Sequence, residues 1–456
     1  MIIKNPFGSL YADLTLPEHT HIVSMGSTEA LSNPKAAIRE ALEHPIASDA
    51  FKAIAQKHYK GPDSTATIVI SDNTRPVPYT GEQGILWPLI EVLLALGYQA
   101  ANITVLIGTG THRAVTQQEI AQMLDPLVLA SGVKIVNHDC RDLEVLVRLG
   151  TTKRGTEILL NKMYVEADLK IATGLVETHF MAGVSGGRKA ICPGIIGEMG
   201  TYVFHSVPLM ADPNSRDLHL ENNPVHEESL EVALKAGVDF LLNVTLDHQF
   251  RVTGVFAGDL IKAHEAAVAH VKKSVHVPSE QADIVITHAG FVGINHYQCA
   301  KAAVGSLGIL KEGGHLILLA HTSDSDNKVG SLNYRTVLSL LKLIGKDAFM
   351  QLIKSKDWTF IPDQWQVQMW AKVFERIDQD NMVFYCPNME EYLWPLLPGL
   401  DGRPLATAGP TCYATVVTKA LAAIAQQEGK ALDELSIVWI EDGPYVIPYA
   451  VEDKNQ

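Results

Sequence analysis

What this chain lacks narrows it first. None of its five cysteines (Cys140, Cys192, Cys299, Cys386, Cys412) stands in a Cys-x-x-Cys pair. That excludes the common zinc and thiol-exchange motifs and points to reduced, buried thiols. There is no basic excess: the formal net charge is −14, which argues against a general nucleic-acid binder. No apolar run approaches the roughly 18 residues of a membrane helix. The N-terminus, MIIKNPFGSLYADLTLPEH, has no basic start followed by an apolar core, so no signal peptide is expected. A cytoplasmic protein with neither membrane nor nucleic-acid partner follows as the expectation. Several catalytic signatures are missing as well. GTGTH at 108–112 is followed by Arg113, which breaks the dinucleotide fingerprint. No Walker lysine loop, His-Glu-x-x-His or Gly-x-Ser-x-Gly occurs.

What is present is ample material for two domains: 456 residues, 47% hydrophobic. Short β-branched runs alternate with apolar helical stretches. Thr65–Ile70, Asn102–Ile107, Lys134–Asn137 and Ala167–Thr173 read as strands, with helices over Ile85–Leu96 and Gln117–Leu124. Residues 196–275 read as mainly helical. A second series begins near Gln281, with strands Asp283–Thr287, His315–Ala320, Met382–Tyr385 and Ile437–Trp439. Its helices are expected over Tyr297–Leu310, Tyr334–Ile344, Gln366–Ile377 and Val416–Gln427. The expected fold class is α/β, with two domains (1–275 and 276–456), each a mostly parallel sheet flanked by helices.

In such sheets ligands bind beyond the carboxyl ends of the strands. Three polar loops fall there: Asp72–Arg75, Thr109–Arg113 and Glu177–Lys189. The last contains HFMAGVSGGRKAICPGI at 179–195. Its small residues let a backbone approach a ligand closely, and Arg188 and Lys189 add charge. By itself this could equally be a surface turn with solvated cations. His112 and His179, at successive strand ends, titrate near neutrality and suit acid–base work. His205 has no neighbour at metal-motif spacing and reads only as a single candidate ligand. Asp72 and Arg75 could simply order a turn, although a guanidinium fork also suits a carboxylate. Gln298 and Lys301, after Tyr297, share a helix face and could do the same.

Taken together, SDNTRP at 71–76, GTGTHR at 108–113, the 179–195 stretch, His205 and NHYQCAKA at 295–302 resemble the nickel-dependent lactate racemase family. The resemblance spans about residues 65–305. It implies two α/β domains with the active site in the cleft between them. It also implies a nickel-pincer nucleotide, pyridinium-3-thioamide-5-thiocarboxylic acid mononucleotide, tethered covalently at Lys189 with His205 as nickel ligand. His112 and His179 would be the acid–base pair. The substrate's α-hydrogen would leave as hydride, giving a planar 2-keto acid. Arg75, Gln298 and Lys301 would hold the substrate carboxylate, with Asp72 and Tyr297 nearby. Ser185, Gly186, Gly187 and Arg188 are the expected cradle for the nucleotide phosphate, an assignment made from charge and glycine content. Gly293 stands where an acidic residue is expected, and Phe291 also departs from the family pattern. The substrate is therefore expected to be a small-molecule 2-hydroxy acid, lactate or larger, and cofactor-biosynthesis proteins are expected as activating partners. The competing readings are a non-catalytic nucleotide- or phosphate-binding protein, and a His-metal hydrolase or lyase drawing on His219 and His226.

Overall fold

The computed structural model describes residues 1–325 and 327–451. They fall into two compact units, one formed by residues 27–273 and the other by residues 1–26 together with the chain from Ser274 onward. Both are α/β units built on parallel sheets with flanking helices, as expected. The expected 1–275 domain differs at its start. The strand His21–Val23 pairs in parallel with Ile437–Ile440, so the first residues complete the C-terminal sheet. A three-residue strand has too little surface to be placed by its own pattern.

In the unit of residues 27–273, six strands lie in the order Val252–Gly258, Phe240–Leu246, Leu169–Leu175, Ala66–Ser71, Ile103–Gly108, Lys134–Asn137. All neighbours are parallel except the first pair. Strands covered on both faces read as unbroken apolar runs. Ala66–Ile70 and Ile103–Ile107 are accordingly buried along their length. The helix Leu86–Ala95 turns Leu86, Leu89, Ile90 and Leu93 inward at helical spacing. Thr116 and Glu119 form a capping box that starts Gln117–Met123.

Phe240–Leu246 and Val252–Gly258 correct the helical expectation for residues 196–275. Asn243, Thr245 and the two glycines blur a strand pattern. Inside the sheet these polar groups are satisfied: Thr245 and Thr253 hydroxyls meet at 2.8 Å, and Asn243 reaches Gly187 and Gly174.

Chain order sets the position of the site. From the central strand Ala66–Ser71 the chain moves outward through two strands, then returns to the other side at Leu169–Leu175. That reversal leaves a crevice at the strands' carboxyl ends. The loops after Ser71, Gly108 and Leu175 open there.

In the other unit the order is Leu400–Asp401, Met382–Tyr385, Leu310–Leu319, Ala282–His288, Ile437–Ile440, His21–Val23, all parallel. The helix predicted to end at Ile344 breaks there, because Gly345 adopts φ +74 and a second helical segment runs on to Lys354. Among the described residues no helix is long and apolar enough to cross a membrane. Ile171, fully buried in the central strand Leu169–Leu175, tests the core. Ile171→Ala should lower stability by about 2–5 kcal/mol, read from urea unfolding.

Candidate functional site

The loop after Ser71 carries Asp72, nearly buried, and its two oxygens have separate duties. Oδ1 accepts from the Thr74 amide at 3.1 Å and the Thr74 hydroxyl at 2.5 Å. Oδ2 meets His112 Nδ1 at 2.7 Å. Burial works to raise the Asp72 carboxyl, but His112 and Thr74 together outweigh it and hold it below the ordinary aspartate value. Arg75 ion-pairs with Glu177, a residue the sequence reading passed over. The pairing could have been suspected from Glu177 lying two residues before His179 at a neighbouring strand end.

After Leu175 the chain forms a small hairpin, with Thr178 opposite Val184 and His179 opposite Gly183. The glycine run that follows is packed inward. The Ser185 hydroxyl donates to the Leu175 carbonyl at 2.7 Å and accepts from the Glu177 amide at 3.0 Å. Gly186 and Gly187 have φ +69 and +53. A Cβ on them would sit 2.7 Å from Val176 and from the His264 ring respectively. The Gly187 amide donates to Asn243 Oδ1 at 2.9 Å. Arg188 is only 1% exposed; it donates to the Ala182 carbonyl at 2.6 Å, and burial pushes its guanidinium down to about 9.

These contacts turn several donors of the expected phosphate cradle inward. The Ser185 hydroxyl, the Gly187 amide and the terminal nitrogens of Arg188 bond within the protein, Arg188 Nε is buried without a partner, and Gly186 is there for close approach. Lys189 is the member of the run left partly accessible. Its Nζ lies 3.2 Å from His179 Nε2 and 5.2 Å from the centre of the Phe204 ring.

The three histidines differ in what their fixed partners allow. A carboxylate only accepts, so His112 carries its proton on Nδ1 and leaves Nε2 with a lone pair. His205, which caps the helix Glu198–Phe204, donates from Nδ1 to the Thr201 carbonyl at 2.8 Å, so its Nε2 carries the lone pair of the neutral ring. Burial above all pushes His205 down to about 3. It is a neutral imidazole, the form that binds a metal. His179 is the reverse case. Its Nδ1 accepts from the amides of Ala182 at 3.2 Å and Met181 at 3.4 Å, so the neutral ring carries its proton on Nε2.

Among the described residues no three His, Cys, Asp or Glu side chains gather as a metal site. A transition metal here would have one protein ligand, His205, and take the others from a bound group. The donor set fits a nickel-bearing nucleotide anchored through an amine, and does not fit a conventional His-metal hydrolase.

The remaining predicted residues lie in the other unit, on the helix His296–Gly305 that Asn295 caps. The Tyr297 hydroxyl accepts from Trp365 Nε1 at 2.7 Å, and burial raises its phenol. Gln298 Oε1 is buried without a hydrogen-bond partner, the state of a group shaped to meet something else. Lys301 is half-buried on the same helix. Phe291 is exposed and stacks on Tyr445 at 5.4 Å. The sequence reading missed the run of buried glutamines, Gln364, Gln366 and Gln368, beside Trp365. Glutamines alternating with apolar residues on a helix were the available signal.

Two family models match the chain: the lactate racemase N-terminal domain over residues 7–217 and the lactate racemase C-terminal domain over residues 277–391. A lactate racemase of Thermoanaerobacterium thermosaccharolyticum is 33% identical over 358 residues, 76% of this chain and 79% of the relative. One from Lactiplantibacillus plantarum is 30% identical over 400 residues, covering 85% and 90%. The fold is similar to that of the lactate racemase apoprotein from T. thermosaccharolyticum, with a TM-score of 0.83 at 28% identity over 98% of this chain and 100% of that one.

The Asp72–His112 pair generates a pH prediction. The folded carboxyl is more acidic than the unfolded one, so it favours folding above about pH 3.9. That contribution fades as pH falls through the lower folded value. Asp72→Asn should therefore cost about 1 kcal/mol at pH 7, a modest figure because His112 is half-exposed. The gap between wild type and variant should close as urea titrations move below about pH 3.9.

Proposed function

Because the chain belongs to the lactate racemase family, an isomerase family acting on a small hydroxy acid, we propose that it racemises or epimerises a 2-hydroxy acid with a nickel-pincer nucleotide anchored at Lys189. The observation that carries this is the set of imidazole tautomers around Lys189: a buried ring with its lone pair on Nε2, an exposed ring with its lone pair on Nε2, and one presenting N–H there. When bound, the cofactor would supply an acceptor and donor of hydride for the α-carbon, so that a planar 2-keto acid links the two enantiomers.

The chain's own residues have separable parts. His205 offers its Nε2 lone pair to nickel, and burial keeps it neutral for that purpose. His112, with Nδ1 tied to Asp72, takes the hydroxyl proton of one enantiomer at Nε2. His179 takes the corresponding place for the other. To act as a base there it must move its proton from Nε2 to Nδ1, giving up the two long amide bonds. Arg75 has one nitrogen engaged by Glu177 and other donors available for the substrate carboxylate. Gln298 and Lys301 are proposed as carboxylate contacts as well.

A non-catalytic phosphate-binding protein is the poorer alternative, since the glycine loop turns its donors inward. It predicts no exchange chemistry and indifference to either histidine.

His112→Ala and His179→Ala should each lower turnover about 10²–10⁴-fold. Because the interconversion of enantiomers has an equilibrium constant of one, the loss must appear in both directions. His205→Ala should lose nickel by metal analysis, and Lys189→Ala should show no adduct by intact mass in protein from cells that make the cofactor. Single-enantiomer 2-hydroxy acids in deuterated water give the decisive experiment. Racemisation with little deuterium at the α-carbon supports hydride transfer, whereas rapid wash-in would replace it with direct proton abstraction.

A further inference from the structure

The contact between His179 and Lys189 joins a proposed catalytic base to the proposed anchor, and neither role explains it. The hairpin pairing fixes the amides of Met181 and Ala182 toward His179 Nδ1. A neutral imidazole cannot accept at both nitrogens, so its Nε2–H points at Lys189 Nζ, 3.2 Å away. An ammonium offers only hydrogens and would face that N–H donor to donor. An uncharged amine offers a lone pair and completes the bond. The face of Phe204, 5.2 Å from Nζ, is the opposing influence, since an aromatic face attracts a cation.

We propose that His179 holds Lys189 as the free, nucleophilic amine for cofactor attachment, and that attachment in turn releases His179 for the racemase reaction. This rests on reading Lys189 as the anchor. In the attachment step Nζ attacks the carbon of a thiocarboxylic acid group on the nucleotide. A C–N bond forms and the C–O bond breaks, while sulfur stays on carbon. The oxygen leaves as water, with one proton from the amine and one from the thiocarboxylic acid, and no oxidant or reductant is required. In the resulting thioamide the nitrogen lone pair is delocalised into the C=S bond, and its remaining hydrogen is a donor. The bond to Nε2–H cannot persist, and the ring is freed at the moment it becomes useful. His179 is thus a positioning residue for loading before it is a catalytic one.

The test begins on unloaded protein. Trace labelling with acetic anhydride at pH 7, followed by peptide mass spectrometry, should modify Lys189 about tenfold faster than the exposed Lys52 and Lys356, as befits an amine kept uncharged. His179→Phe should remove that advantage, and His179→Gln, whose side-chain amide can still donate, should keep most of it. With purified nickel-pincer nucleotide, adduct formation followed by intact mass should slow about as much in His179→Phe as labelling does. An adduct that still forms on Lys189→Ala would overturn the anchor reading itself. Ordinary labelling of Lys189 in the unaltered chain, or labelling and adduct rates indifferent to His179→Phe, would overturn the positioning role and leave the anchor standing.

Discussion

The bond from the Ser185 hydroxyl to the Leu175 carbonyl, with the Glu177 amide donating back to the same oxygen, is the constraint on which the proposed site depends. It folds the chain back on the end of its own strand within ten residues. Everything of chemical interest between them is placed by that closure: Glu177 against Arg75, His179 on a hairpin, Lys189 facing out. Closure demands small residues where the returning chain meets Val176 and His264, which is why two glycines stand in left-handed conformations there. It also brings partners to buried polar groups, Asn243 to the Gly187 amide and the Ala182 carbonyl to one terminal nitrogen of Arg188. The glycines serve the protein's interior, and only indirectly a ligand.

This explains what was legible in the sequence and what was not. Runs such as TATIVI and NITVLI announce strands because a parallel sheet covered on both faces leaves no room for polar alternation. The strand-end loops followed from the alternation of elements, and with them Asp72, His112 and His179. Phe240–Leu246 was misread because its Asn243 and Thr245 are polar yet buried, satisfied by partners far away in sequence. The inward turn of Arg188 was hidden for a similar reason. Two adjacent cations look alike on paper, and only the loop's path sends one to the Ala182 carbonyl and the other toward His179. Glu177 escaped notice because its partner is 102 residues away.

The three imidazoles show how little residue type decides. His112 faces a carboxylate, His205 a carbonyl and His179 a pair of amides. The first two partners can only accept and the third can only donate, so the same side chain emerges with a lone pair twice and with a proton once. In each case the partner is a backbone group or a residue on a fixed turn, so the choice is made by the fold before any ligand arrives.

The pairing of His21–Val23 with Ile437–Ile440 has a consequence for how the chain is made. The unit of residues 27–273 is one continuous segment and can form as it leaves the ribosome. The other sheet joins a strand from the first 26 residues to one from beyond residue 436, so its completion waits until that later strand has emerged. During that interval the early strand has no edge to join. It is short, and His21 and Ile22 are exposed even in the finished sheet. Brevity keeps such an idle edge from recruiting a neighbouring chain on the polysome.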